Sequence, residues 1–172
     1  MSDDAAKLIR QFVTAAGIKE IDKWVSKYPK GEKQSAVMQA LMVVQEEQRY
    51  LTKESMDAVA GYLDMPAIAV YEVATFYSMY EHEPTGRHLI NVCTNISCKL
   101  RNSAEIVDHL ERKLAIKLGE TTEDGLFTLR SVECLGACVN APMMQVDKAY
   151  HENLTADKID AILEQYREGI SK

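Results

Sequence analysis

Apolar residues in the first part of the chain recur at helical spacing. Over residues 4–28 they repeat at intervals of three and four, as on one face of an amphipathic helix. A break is expected near Gly17, and Pro29 with Gly31 ends the segment. The pattern therefore predicts an interrupted helix at the start of the chain.

Three further helices are predicted before residue 81, each from its own start signal. Ser35 and Thr52 are expected N-caps, and Pro66 suits a first helical turn. The helices are expected over residues 36–48, 52–63 and 66–80. The broad apolar surface of the helix over residues 36–48 predicts burial on two sides, as in a small helical bundle.

The last of these helices carries a segment dense in aromatic residues, Val70-Tyr-Glu-Val-Ala-Thr-Phe-Tyr-Ser-Met-Tyr80. Its periodicity favours packing of the rings into the core of the bundle. The alternative is a docking surface, because Tyr and Met are enriched at protein interfaces.

The pattern changes after a polar, broken stretch at residues 81–86, which predicts a boundary between domain 1–84 and domain 85–172. Branched and alternating apolar residues predict strands over residues 88–93 and 126–132 and a hairpin over 143–150 that turns at Asp147-Lys148. Ser103 is expected to cap a helix to about Lys117, and Thr155 a final helix. The chain is thus predicted to be α+β, with a helical bundle followed by a β-α-β-β-α domain.

All four cysteines lie in this second domain, as the pairs Cys93-Thr-Asn-Ile-Ser-Cys98 and Cys134-Leu-Gly-Ala-Cys138. A strand–helix–strand crossover makes the first two strands parallel, so their carboxyl ends meet at one edge of the sheet. Cys93 ends the first strand and Cys134 follows the second. Both pairs are therefore expected at the same edge.

Four thiolates suit tetrahedral zinc or an iron–sulfur cluster. The x4 and x3 spacings differ from the Cys-x2-Cys most frequent in zinc knuckles, and no Cys-x-x-Cys redox motif is present. Asn and Gly residues between the cysteines suit turns whose amides face sulfur. A [2Fe–2S] cluster is favoured, with zinc and disulfides as less favoured alternatives.

The net charge of -6 disfavours a nucleic-acid partner, which requires a basic face. The acidic first residues do not resemble a signal or transit peptide, and no apolar run is long enough to cross a bilayer. A cytoplasmic protein without direct membrane insertion is expected, in which cysteines more often serve metal or redox chemistry than disulfides.

The cysteine spacing and several other motifs resemble a known family. Besides Cys93-x4-Cys98 and Cys134-x3-Cys138 with Pro142, the similar motifs are Val73-Ala-Thr-Phe-Tyr77, Gly86-Arg-His88 and Thr121-Thr-Glu-Asp-Gly-Leu-Phe-Thr128. Together they resemble the thioredoxin-like [2Fe–2S] subunit family of respiratory NADH:quinone oxidoreductase (complex I), over about residues 35–165. One departure is Arg49-Tyr50, where that family often has Gly before the aromatic residue.

The resemblance implies a thioredoxin-like second domain in which Cys93, Cys98, Cys134 and Cys138 bind one [2Fe–2S] cluster. It implies an electron-transfer subunit that is not catalytic alone and that docks, with help from the Val73–Tyr77 segment, on a flavoprotein subunit carrying FMN and NADH. It also implies a peripheral position on the cytoplasmic side of the inner membrane. The alternatives are the equivalent subunit of an NAD-linked hydrogenase or formate dehydrogenase, a redox-silent zinc adaptor, and a thiol–disulfide enzyme.

Overall fold

A computed structural model describes residues 7–169 of the chain. The chain divides into two compact units, Met1–Pro84 and Thr85–Lys172, which we call the helical unit and the sheet unit. Beyond residue 9, the described part of the helical unit contains a short 3-10 helix, Lys33–Ala36, and the helices α1 (Ala15–Val25), α2 (Val37–Gln48), α3 (Lys53–Leu63) and α4 (Ala67–Phe76).

The helical unit begins differently from the prediction. Residues 7–9 are helical, the chain turns over 10–14, and α1 starts at Ala15, so the break expected near Gly17 lies a few residues earlier and Gly17 is inside α1. Residues 4–6 of the predicted helix lie outside the described part of the chain. Thr14 caps α1 by accepting from the Gly17 N–H at 3.2 Å, and Glu47 of α2 accepts from the Thr14 N–H at 2.7 Å and hydroxyl at 3.0 Å. The break is thus placed by a capping threonine.

The capping residues predicted for α2 and α3 had different outcomes. Ser35 does not cap α2, because it lies within the preceding 3-10 helix. Thr52 caps α3 as predicted and accepts from the Ser55 N–H at 3.1 Å. Arg49 ends α2 with a left-handed φ of 76°, a conformation that glycine adopts without steric cost.

α4 begins directly after Pro66 and ends at Phe76, four residues before the predicted end. Val70 and Ala74 are completely buried in the core of the helical unit, whereas the Phe76 side chain is 80% exposed. Core packing was therefore the wrong interpretation for Phe76. The other fully buried large residues of this unit are Ile9, Ile21, Leu41, Leu51 and Leu63.

The sheet unit contains one four-stranded sheet with the order β2-β1-β3-β4. Its strands are β1 (His88–Cys93), β2 (Phe127–Val132), β3 (Met144–Val146) and β4 (Ala149–His151). β1 and β2 are parallel with Cys93 opposite Val132, and β3 pairs antiparallel with both β1 and β4. The predicted parallel pair and hairpin are confirmed.

The sheet unit also contains α5 (Ile96–Leu100), α6 (Ser103–Leu114) and α7 (Ala156–Arg167). α5 was not predicted, and α6 ends three residues before the expected Lys117. Ser103 is the first residue of α6 rather than its cap, because Asn102 before it turns the chain with φ 64°. Thr155 caps α7 as predicted and accepts from the Lys158 N–H at 3.3 Å. Apolar residues from the sheet, α6 and α7 form the core, among them Ile90, Leu110, Phe127, Leu129, Met144 and Ile159.

Candidate metal centre

The first cysteine, Cys93, is fixed at the end of β1. Its N–H donates to the Met143 carbonyl at 3.2 Å, and the following Thr94 N–H donates to the Val132 carbonyl at 2.9 Å. The Cys93 thiol donates to the Glu133 carbonyl at 3.7 Å. β1 is thus held on both sides at its carboxyl end, beside the segment that carries Cys134.

The second cysteine, Cys98, lies within α5. Asn95 caps this short helix, since its side chain accepts from the Ile96 N–H at 2.8 Å. Cys98 is only 1% exposed, while Ile96 and Leu100 on the same helix are 69% and 78% exposed. α5 therefore turns one thiol inward and presents two apolar side chains to solvent.

Cys134 and Cys138 lie in the loop between β2 and β3, and both are exposed. Gly136 between them has a left-handed φ of 81°, Ala137 follows with φ -95° and ψ 42°, and a 3-10 helix then spans Cys138–Asn140. Successive residues of opposite hand turn their N–H groups toward one concave side, a geometry that favours anions. This backbone suits thiolates and bridging sulfide.

The second cysteine loop is anchored to β4 and to the segment before α7. The Tyr150 hydroxyl donates to the Leu135 carbonyl at 2.8 Å, and the Asn140 side-chain amide donates to the Glu152 carboxylate at 2.6 Å. Two backbone bonds add to these: Asn153 N–H donates to the Asn140 carbonyl at 2.7 Å, and Leu154 N–H to the Pro142 carbonyl at 3.0 Å. Sequence analysis missed these anchors, because the spacing of the cysteines carries no information about what holds their loop.

The structure brings the two cysteine loops together. Cys93, Cys98, Ala141 and Met143 form a buried apolar cluster, against which Leu135 and Ala137 pack. The predicted convergence of both loops at the carboxyl edge of β1 and β2 is confirmed. The two pairs differ in burial, with Cys93 and Cys98 enclosed and Cys134 and Cys138 open to solvent.

The Cys98 thiol is strongly affected by its surroundings. Burial raises the pKa of Cys98 to about 11, and the hydrogen bond with Cys93 and the charge of Cys138 act in the same direction. A metal ligand must be a thiolate, so the positive charge of bound iron would have to stabilise the ionised form here.

The four cysteine thiols lie on two loops that meet, and the Cys98 thiol interacts with both Cys93 and Cys138. Within residues 7–169, no group of three or more His, Cys, Asp or Glu side chains is arranged to hold a single metal ion. A structural zinc site needs four ligands around one ion, whereas a [2Fe–2S] cluster has two irons that share its four cysteines. Four cysteine thiols on two converging loops fit such a binuclear cluster.

A family model described as thioredoxin-like [2Fe-2S] ferredoxin matches residues 21–167. The chain belongs to this thioredoxin-like [2Fe–2S] ferredoxin family. Its fold is therefore α+β with a thioredoxin-like sheet unit, and its cofactor is a [2Fe–2S] cluster.

Relatives of this ferredoxin-family chain are similar over most of their length. The E subunit numbered 2 of the NADH-quinone oxidoreductase of Rhizobium meliloti (strain 1021) is 47% identical over 148 residues, which cover 86% of this chain and 87% of the relative. The E subunit of the Rickettsia typhi NADH-quinone oxidoreductase is 46% identical over 143 residues, which cover 83% and 84%. The resemblance to the complex I subunit family is confirmed.

Among solved structures, an NAD+-reducing [NiFe]-hydrogenase in the air-oxidized state superposes with a TM-score of 0.65 at 21% identity. The match covers 76% of this chain but only 23% of the hydrogenase chain. At this identity the likeness concerns the fold alone.

No helix in the described part of this ferredoxin-family chain has the length and apolar character needed to span a membrane.

Proposed function

We propose that this chain is the electron-transfer subunit of an NADH:quinone oxidoreductase that receives electrons from FMN, and that Cys93, Cys98, Cys134 and Cys138 hold its [2Fe–2S] cluster. The main observation behind this proposal is that both cysteine loops meet at one edge of the sheet. The buried apolar residues around Cys93 and Cys98 there include residues of the second loop. The domain 85–172 would then be the cluster-bearing domain.

The cluster supplies one-electron transfer, and the chain's own residues bind and insulate it. Cys93 and Cys98 would hold the inner side, against Met143 and Ala141, while Cys134 and Cys138 hold the outer side. A cluster with four thiolates is negatively charged, so the backbone amides at Gly136 and Ala137 would lower the cost of burying that charge.

The partner in this proposal is the flavoprotein subunit that carries FMN and NADH, and the chain alone is not catalytic. Three exposed apolar side chains next to the cysteines support docking: Ile96 and Leu100 on α5 and Val139 after Cys138, the last 93% exposed. Exposed apolar groups of this kind mark interaction sites. Through this partner the chain would be peripheral on the cytoplasmic side of the inner membrane.

The alternatives are not favoured. The relatives at 46% and 47% identity are E subunits of NADH-quinone oxidoreductases, whereas the hydrogenase is 21% identical. The matching family model describes a [2Fe-2S] ferredoxin, which does not favour a zinc adaptor.

The ligand set is tested by single Cys→Ala variants with iron and sulfide analysis after anaerobic purification. The unmodified chain should contain about two irons and two sulfides and give the EPR signal of a reduced [2Fe–2S] centre. Each variant should lose the cluster or bind it very weakly. Ser97→Ala, a matched control within the first loop, should retain it. Full retention in any cysteine variant would remove that residue from the set, and zinc in place of iron would favour the adaptor.

The docking surface is tested by Leu100→Glu in reconstitution with the flavoprotein subunit. A buried unpaired charge at an interface is costly, so reduction of the cluster by NADH through the flavoprotein should slow at least tenfold while iron content stays unchanged. Leu118→Glu, which alters another exposed leucine of the sheet unit, is the control. Equal rates for the two variants would place the docking surface elsewhere.

A further inference from the structure

Tyr150 is positioned to control the backbone between the two outer cysteines. It lies on β4 opposite Gln145, and its side chain is 50% exposed. Its hydroxyl donates to the Leu135 carbonyl, which belongs to the peptide between Leu135 and Gly136. A side chain from the sheet thus contacts the middle of the Cys134–Cys138 loop.

This contact fixes the direction of an amide. A peptide group is planar and trans, so its C=O and N–H point in opposite directions. With the Leu135 carbonyl turned to Tyr150, the Gly136 N–H points away from the tyrosine. The sign of φ changes from 81° at Gly136 to -95° at Ala137, as in turns whose successive amides converge on an anion.

We propose that Tyr150 is a positioning residue for the [2Fe–2S] cluster. By holding the Leu135–Gly136 peptide with its N–H toward the cluster sulfurs, the tyrosine raises the reduction potential of the cluster. The inference rests on the proposed function, because it requires Cys134 and Cys138 to be cluster ligands.

The direction of the change in reduction potential follows from the negative charge of the cluster. Reduction adds one electron to an already anionic cluster, and N–H donors stabilise the more negative form more strongly. Without the tyrosine hydroxyl, water would bind the Leu135 carbonyl, because the site is open to solvent. Water is free to move with the peptide and does not fix its orientation, so the reduced form would lose stabilisation.

The test is an EPR-monitored redox titration of the full chain carrying Tyr150→Phe, which removes one hydroxyl and keeps the ring. We expect iron and sulfide to remain complete, the g values to change, and the potential to fall. At a fixed ambient potential, the ratio of reduced to oxidised cluster should decrease about fivefold, the effect expected when the Gly136 N–H no longer stabilises the reduced form by about one hydrogen bond.

Tyr80→Phe is the matched control. The Tyr80 hydroxyl also donates to a backbone carbonyl at 2.8 Å, that of Met38, but in the helical unit. Its removal should leave potential and EPR spectrum unchanged. Tyr150→Leu removes the ring together with the hydroxyl, so comparison with Tyr150→Phe distinguishes the effects of the two groups. It should shift the potential in the same direction as Tyr150→Phe.

Three results would overturn the inference. An unchanged potential in Tyr150→Phe would show that the hydroxyl does not act on the cluster, and a shift confined to Tyr150→Leu would assign the effect to shielding by the ring. Loss of iron from Tyr150→Phe would make the hydroxyl necessary for cluster retention instead. An unmodified chain without any iron–sulfur signal would overturn the proposed function itself, so the two failures are distinguishable.

Discussion

At the scale of single residues, Gly17 is required by space rather than by backbone conformation. A Cβ added there would overlap the Glu47 carboxylate and would lie 3.1 Å from Val13 Cβ and 3.2 Å from Val43 Cγ1. The same carboxylate accepts from the Thr14 N–H and hydroxyl. One missing methyl group therefore permits the contact between α1 and α2.

Gly17→Ala should lower the free energy of unfolding by about 1–2 kcal/mol, because overpacking outweighs the gain of about 1 kcal/mol in helix propensity. Denaturant titration measures the change. The Glu47→Ala background is the control: with the carboxylate gone, the cost of Gly17→Ala should fall by more than half, as a double-mutant cycle would show. Additive effects of the two changes would contradict this account.

The left-handed turns at Arg49 and Asn102 could be predicted from the sequence only in part. Arg49 occupies a left-handed helix end, which explains why a glycine would be suited to this position. Asn102 adopts a left-handed φ of 64° before α6, a conformation that asparagine tolerates. The residue types Asn and Ser indicate a helix cap near residue 103. The choice between Asn102 and Ser103 depends on where α5 ends, and α5 was not predicted.

At the scale of elements, a carboxylate joins the last two helices of the sheet unit. Asp160 of α7 accepts from His109 Nε2 at 2.9 Å and from Lys113 Nζ at 3.0 Å, both on α6. The hydrogen bond from His109, followed by that from Lys113, lowers the pKa of Asp160 below its ordinary value. The ionised form is therefore favoured in the folded state.

This lowered pKa predicts a pH-dependent contribution to stability. The contribution should be complete above the ordinary Asp pKa of about 3.9 and should disappear as pH falls through the lower pKa of the folded state. Denaturation of the cluster-free chain measures it, because acid destruction of the cluster then has no effect. The difference between the unmodified chain and Asp160→Asn should be present at about pH 6 and should shrink below about pH 4. The control, Glu123→Gln, changes a loop carboxylate outside this contact and should show no such loss; a difference for Asp160→Asn that persists in acid would contradict the assignment.

Elements with one buried face were predicted well, and the others were not. β1 has the predicted bounds, because branched residues between two turns have few alternative structures. α4 is apolar on most sides, so periodicity could not distinguish the buried Val70 and Ala74 from the exposed Phe76. α5 has only five residues, and its helical form depends on the Asn95 cap. The edge that brings the cysteines together was therefore predictable, whereas the short helix and the side chains that anchor the loops were not.

At the scale of the whole molecule, the division into two units predicts how far cluster loss propagates. Metal binding couples to folding of the segments that supply the ligands. Chelation of iron should reduce hydrogen-exchange protection in residues 93–102 and 133–143 and leave α1 to α4 unchanged. Cys98→Ala, expected to lack the cluster from the start, is the control and should not change further on chelation. Loss of protection throughout α1 to α4 would show instead that the helical unit depends on the cluster.

The unequal burial of the two thiol pairs determines which cysteines oxidants would reach first. In a cluster-free chain, Cys134 and Cys138 are open to oxidants and alkylating reagents, whereas Cys93 and Cys98 are 2% and 1% exposed. Thiol reactivity follows access as well as ionisation. Oxidative injury would therefore begin at the outer pair, while the inner pair stays chemically intact. A chain that has lost its cluster would keep two of the four proposed ligands intact, and oxidation of Cys134 and Cys138 would limit how long the cluster can be rebuilt.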